Sequence, residues 1–151
     1  MILAATTFII KDNKILLGFK KRGFGMNKWN TFGGKLDKGE SYEEAAKREV
    51  FEECELNILS LEEKATLNFS WVNNKDKFEV HVFQAISFTG QPVESEEMLP
   101  QWFDLDKIPY AKMWPDNKLW WPLFLAGQKI NASFVYGPKD KLLTQQIELI
   151  K

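Results

Sequence analysis

Glu49, Glu52 and Glu53 stand at positions i, i+3 and i+4 of the segment Arg48-Glu49-Val50-Phe51-Glu52-Glu53-Cys54. On an α-helix, at about 100° per residue, three acids so spaced fall within an arc of roughly 100° and point the same way. Ala46, Val50 and Cys54 form the neighbouring apolar stripe, so the acids lie at the edge of the packed face rather than opposite it. Like charges at these spacings destabilise an isolated helix by about 0.2–0.5 kcal/mol per pair, which points to a compensating cation. Clustered carboxylates suit Mg²⁺, or Mn²⁺ in its place, because these hard ions bind oxygen and share their remaining positions with water and phosphate. Taken by itself, the helix also has a simpler reading. It is then a solvated, glutamate-rich face with pairs such as Glu44 to Arg48.

The residues upstream extend the pattern. Gly34 is followed after five residues by Glu40, after seven more by Arg48-Glu49-Val50-Phe51-Glu52-Glu53, and one residue later by Glu55-Leu56. This spacing resembles the signature box of the Nudix family, G-x5-E-x7-R-E-U-x-E-E-x-G-U with U aliphatic, over residues 34–56. The single departure is Glu55, where the box has glycine. The resemblance implies a loop-helix-loop on an α/β/α sandwich and a divalent metal held by glutamates. It also implies cleavage of a nucleoside diphosphate linked to another group. Phosphoanhydride hydrolysis needs the phosphate charge neutralised and a water made nucleophilic, and a carboxylate-held metal does both. By resemblance, Glu49, Glu52 and Glu53 are metal ligands, Gly33 offers a backbone carbonyl, and Glu53 is the candidate base. Arg48 orients these glutamates, and Glu40 fixes the loop before the helix.

The likeness continues past the box. LLGFKKRGFGMNKWNTFGGK, VHVF, PVESEEM, WFDLDKIP and MWPDN are similar to stretches of the family members of animals that hydrolyse oxidised purine nucleoside triphosphates. The function it implies is Mg²⁺-dependent conversion of nucleotides such as 8-oxo-dGTP and 2-hydroxy-dATP to monophosphate and pyrophosphate, which sanitises the nucleotide pool. In those relatives an aromatic-lined pocket takes the base, read by an asparagine before the box and by two consecutive acids after a Trp-Pro. The matching residues are Asn30, Trp114, Asp116 and Asn117, with Phe24, Phe69, Trp71, Met98 and Trp120 as walls. Phe32, Gly33, Gly34 and Lys35 form the substrate-side loop, Lys20 matches a substrate-contacting lysine, and Glu97 matches a further acid near the metal.

Each of these residues also has a purely structural reading. Asn30 could close its own Asx turn, Trp114 and Trp120 could be core, and Lys20-Lys21-Arg22 could be a solvated run. Phe69 and Trp71 lie two apart on a strand and share a face, as either core or pocket requires. His81, inside an apolar strand, reads as a satisfied core histidine, and Cys54 as small core filler. Asn117 replaces the second acid of the relatives. An amide does not titrate and always offers one acceptor and one donor group, so it should narrow the range of bases accepted. Two alternatives stay open: a Nudix enzyme for an unmodified or methylated purine nucleotide, and a module that binds nucleotide without cleaving it. The complete Glu49, Glu52 and Glu53 set argues against the second.

The positioning elements follow from local signals. ATTFII and KILLGF flank Asp12-Asn13 and predict a hairpin. Ser41 and Glu44 form a capping-box pair for a helix over Tyr42 to Cys54. Strands are expected at KATLNFSWV, KFEVHVFQAISF, QWFDL, NASFVYG and LLTQQIELI, with a helix from Pro115 to about Ala126. These elements predict an α/β or α+β layer domain, with a mixed sheet and two main helices. At Glu55 the helix should end differently from a glycine-capped one, because a glutamate with φ > 0 is strained by roughly 1 kcal/mol.

With 151 residues, 44% hydrophobic and 27% charged, one domain spanning the chain is expected. A formal net charge of −1 gives no general attraction to nucleic acid polymers or anionic membranes. The partner is expected to be small, the resemblance implies that it is a nucleotide, and the chain is expected to be a monomer. The apolar start MILAATTFII is too short to span a bilayer and lacks a basic flank and a cleavage site, so it reads as a strand. A single cysteine fits a reducing, cytoplasmic setting.

Overall fold

The computed structural model describes residues 1–151. Its elements in chain order are β1 (Ile2–Lys11), β2 (Lys14–Lys20), β3 (Trp29–Asn30), β4 (Phe32–Lys35), α1 (Tyr42–Cys54), β5 (Asn57–Trp71), β6 (Lys77–Thr89), β7 (Met98–Asp104), α2 (Asn117–Leu125), β8 (Lys129–Tyr136) and β9 (Leu142–Ile150). The nine strands form one mixed sheet in the order β3-β2-β1-β6-β5-β8-β9, with β4 also paired to β1 and β7 to β2.

β1 organises the sheet because its two halves pair differently. Ile2 to Phe8 run parallel to β6, while Ile9 to Lys11 turn back antiparallel onto β2. The turn between β1 and β2 places both Asp12 and Asn13 at positive φ, 53° and 62°, the geometry of a two-residue hairpin turn. Side-chain alternation then sorts the core into two layers. Phe8, Ile15 and Leu17 join Trp120, Trp121, Phe124 and Phe134 on the α2 side, whereas Ile9 and Leu16 join Phe32, Val50, Cys54 and Met98 on the α1 side. The result is the predicted sandwich of helix, mixed sheet and helix.

Several boundaries differ from the sequence expectations. α2 begins at Asn117 instead of Pro115, because the Asp116 amide donates to the Tyr136 hydroxyl and Asn117 is the first to turn back, onto the Trp114 carbonyl. β5 starts seven residues before Lys64, at Asn57, and its polar first half is broken by register shifts against β6. The loop before the box contains the short strands β3 and β4, and β7 begins at Met98.

Glu55 does not change the helix ending. It takes the left-handed conformation itself, at φ 62° and ψ 21°, with its N–H donating to the Phe51 carbonyl, as a glycine cap would. His81 is not core. Its ring is stacked on Tyr42 with centroids 3.5 Å apart, and its nitrogens face the carboxylates of Glu63 and Glu79 on the α1 face of the sheet. No helix is long and apolar enough to cross a membrane.

Candidate active site

Helix α1 is set by its N-cap, the residue just before Tyr42. Ser41 Oγ accepts from the Glu44 amide at 3.1 Å, and the Glu44 carboxylate accepts from the Ser41 amide at 2.9 Å. That capping use removes Glu44 from any pair with Arg48. The Arg48 guanidinium instead reaches Glu40 through Nε at 2.7 Å, Glu49 at 2.8 Å, Glu52 at 3.1 Å and the Lys35 carbonyl at 3.0 Å. One side chain thus joins the loop before the helix to two of the three acids. The hydrogen bond from Arg48 holds the Glu40 carboxyl down at about 2.

The three acids do not share one environment. Glu52 is exposed and Glu49 is half-buried, its carboxyl raised by burial against the opposing pull of Arg48. Glu53 is 2% exposed. Its Oε1 accepts from the Gly33 amide at 2.9 Å, and its Oε2 is buried with no donor. Burial, then the neighbouring Glu97 and Glu49, push the Glu53 carboxyl up to about 9. Burial acts upward on Glu97 too, but Lys20, 3.0 Å away, and the facing Glu53 hold it below the ordinary carboxylate range. Of this facing pair, Glu53 is the carboxyl pushed upward. A divalent cation would offset the repulsion among these acids and supply the partner Oε2 lacks, so the donor set fits a hard dication. Arg48 engages Glu49 and Glu52, and Lys20 engages Glu97, so the four carboxylates form no ready-made metal group and an ion would have to compete with both cations.

Gly33, just ahead of the box, and Gly34, its first residue, both sit where a side chain would not fit. A Cβ on Gly33 would lie 2.1 Å from the Ala5 carbonyl oxygen, and one on Gly34 would lie 2.7 Å from the Glu49 carboxylate. Lys35, at the end of β4, contributes its carbonyl to Arg48.

An aromatic cluster lies at the other end of the Lys20–Lys28 loop. The loop closes on itself through Lys20 N–H to Lys28 O at 3.0 Å and Asn27 N–H to Lys20 O at 2.7 Å. Lys20 is at its base, while Phe24 at its tip is 65% exposed and stacks on Trp114 with centroids 5.2 Å apart. Trp71 and Phe78 lie at the edges of the same group. Phe69 stacks on Phe134 and Tyr136 beneath it.

The remaining residues suggested by the sequence are placed less uniformly. Phe32 and Met98 are buried on the α1 side, where both pack against Gly18, so they support the loops from below and present no surface. Asn30 Oδ1 accepts from the amide of the next residue, Thr31, at 2.8 Å, so it does not close the Asx turn open to it from sequence, which would take the amide two residues on. Asp116 is buried, with Trp120 Nε1 donating to Oδ2 at 2.8 Å and the Tyr136 hydroxyl donating to Oδ1. Asn117 beside it is 4% exposed, and its Nδ2 has no partner.

Tyr136, Phe78 and Lys28, whose ammonium lies 4.7 Å from the Trp114 ring centre, were not singled out from sequence. For Tyr136 the signal was there. Ala132, Phe134 and Tyr136 alternate onto the buried face of β8, and a buried tyrosine hydroxyl needs a partner.

A mixed sheet between two helices, with a glutamate-lined helix edge beside a buried, partnerless carboxylate oxygen, defines a hydrolase of the Nudix type. The chain belongs to the Nudix family, and the family's NUDIX domain profile matches residues 1–124. It is 39% identical over 149 residues to an oxidized purine nucleoside triphosphate hydrolase of Danio rerio, covering 99% of this chain and 96% of the relative. It is 41% identical over 145 residues to the protein of the same name from Mus musculus, covering 96% of this chain and 93% of that one. Among solved structures, a MutT protein from Bacillus halodurans superposes with a TM-score of 0.86, each chain covered to 98%; at 22% identity this concerns the fold. Nudix hydrolases generally use divalent metal ions.

Proposed function

We propose that this protein hydrolyses oxidised purine nucleoside triphosphates to monophosphate and pyrophosphate with Mg²⁺, and that residues 1–151 act as one Nudix domain. The observation that carries the reading is the pairing of two sites by one short loop: Lys20 beside Glu97 and Glu53 at its base, and Phe24 on Trp114 at its tip. A charged end for the phosphates and an aromatic end for the base suit a nucleotide. Two relatives named as oxidized purine nucleoside triphosphate hydrolases support an oxidised purine as that base.

Glu53, Glu97 and Glu49 would hold the metal, joined by Glu52 and the Gly33 carbonyl. When bound, the ion supplies phosphate charge neutralisation and lowers the pKa of a water. The Gly33 amide fixes one oxygen of Glu53, so Oε2 is the atom through which this residue would either meet the ion or act as the base. Arg48 orients Glu49 and Glu52 from the side away from substrate, with Glu40 bracing it. Lys20, released from Glu97, offers its ammonium to the phosphates, and Lys35 lies at the edge of the same loop. Asn30, Asp116 and Asn117 read the base between Phe24 and Trp114, over a floor of Phe69, Trp71 and Trp120. We place the enzyme in the cytoplasm as a monomer.

Pyrophosphate release across a panel of normal, oxidised and methylated purine triphosphates, with and without Mg²⁺, tests this reading. Selective, Mg²⁺-dependent release from oxidised purines is expected. A flat profile across normal and oxidised bases would defeat the sanitising role, and binding without release would leave a recognition module.

A further inference from the structure

The Tyr136 hydroxyl has no freedom in how it bonds. It accepts from the Asp116 backbone N–H at 3.1 Å, and its one proton goes to Asp116 Oδ1. The Trp120 indole, which can only donate, holds Oδ2 at 2.8 Å. Both oxygens of this buried carboxylate therefore accept from fixed donors. Next in the chain, the buried Asn117 Nδ2 has no partner and remains an open donor. Adjacent residues thus present opposite and fixed polarities.

We propose that Tyr136 is a specificity-determining positioning residue: by holding Asp116 as an acceptor, it restricts the pocket to purines that offer an N–H to Asp116 and an acceptor beside it to Asn117. This rests on the reading of Asp116 and Asn117 as base contacts. A guanine ring meets the requirement with N1–H next to O6. An O6-methylated guanine does not, because its N1 has lost the proton and accepts.

The surroundings of Asp116 support a role for Tyr136 in its protonation. Burial raises the Asp116 carboxyl, and the Tyr136 and Trp120 donors oppose that rise. Tyr136 on β8 is itself kept protonated by burial and by the Asp116 charge, with Asp140 after β8 acting on it in the same direction. From α2 the group reaching Asp116 is Trp120, and on the loop side Lys28 lies over Trp114. Without Tyr136, the carboxyl rises further and can itself donate to an acceptor.

The test is the pH dependence of kcat and KM for wild type, Tyr136→Phe, Asp116→Asn and the double variant, each on 8-oxo-dGTP and O6-methyl-dGTP. For Tyr136→Phe, KM on 8-oxo-dGTP should rise roughly tenfold, the scale of one hydrogen bond to a charged group, while kcat changes far less. The acid limb of kcat/KM should move to higher pH, and discrimination against O6-methyl-dGTP should narrow. In the Asp116→Asn background, Tyr136→Phe should add little. Trp120→Phe, which removes the donor to Oδ2, should move the acid limb the same way and serves as a second variant if Tyr136→Phe folds poorly. If Asp116→Asn alters discrimination while the Tyr136 and Trp120 variants leave limb and discrimination unchanged, the inference is overturned and the base-pocket reading stands. If Asp116→Asn itself changes nothing, both fall.

Discussion

The Gly33 amide donates to Glu53 Oε1 at 2.9 Å, which leaves the other oxygen of the same buried carboxylate without a partner. One oxygen is fixed by the backbone of β4, so the other is aimed without cost to the helix. An acid held in this way can work as a base only at one atom. Glu53→Gln keeps the size and the bond from Gly33 but cannot take a proton. It should lower kcat by about 10²- to 10⁴-fold with the fold retained, measured by pyrophosphate release alongside circular dichroism.

The same residue sets a pH dependence for the metal-free protein. Its carboxyl lies at about 9 when folded, against an ordinary value of 4.5, so the folded chain keeps a proton that the unfolded chain has released across that window. Stability should therefore fall as pH rises from about 4.5 to 9. Thermal unfolding in EDTA should show this slope, Glu53→Gln should flatten it, and Mg²⁺ should restore wild-type stability at the alkaline end. A slope of opposite sign would show that Glu53 is ionised without metal.

Gly33 and Gly34 should fail differently. A methyl on Gly33 meets backbone, 2.1 Å from the Ala5 carbonyl oxygen, so Gly33→Ala should destabilise the β1–β4 pairing by about 3 kcal/mol or more. A methyl on Gly34 meets the Glu49 side chain, which can move aside at the expense of its geometry. Gly34→Ala should stay folded and lose roughly 10²-fold in kcat, the scale of a 1 Å misplacement at a reacting centre. Denaturant midpoints and kcat measured on both variants would separate the two.

Glu55 holds a positive φ of 62° at the end of α1. Glu55→Gly should stabilise the protein by about 0.5–1 kcal/mol with kcat unchanged, because glycine adopts this conformation without the steric cost. Equal or lower stability in urea unfolding would mean that the glutamate gains something else at this cap.

Asn117 places an amide where the resemblance expects an acid, and its buried Nδ2 has no partner. Asn117→Asp introduces a group that can donate or accept according to its own protonation, beside the fixed acceptor Asp116, so the ratio of 8-oxo-dGTP to 2-hydroxy-dATP hydrolysis should change by at least a few fold. An unchanged ratio would sink the idea that the amide narrows base choice.

Much of this molecule was legible in the chain because the signals are local. The capping box at Ser41 and Glu44 and the periodicity of Glu49, Glu52 and Glu53 depend on residues within four positions of one another, as does the Asp12-Asn13 turn. Backbone geometry alone converts such spacings into shape. Glu55 was the local exception: the αL conformation was foreseen as strained, and the packed helix imposes it nonetheless.

What the tertiary structure decided is which of the candidates meet, and how wet each one is. Glu49, Glu52 and Glu53 are equal in sequence, yet only Glu53 is buried, because β4 closes over it and Glu97 arrives from the start of β7. Arg48 could have paired with Glu44, but the cap claims Glu44 and the loop brings Glu40 closer. Phe32 and Met98 resemble pocket residues and lie in the core, since strand alternation turns them toward α1. The bond between Tyr136 and Asp116 spans 20 residues and depends on β8 running beside β5, under the start of α2. Spacing along a chain determines the face a side chain points from; dielectric, proton sharing and long-range partners arise only when separate elements are packed against one another.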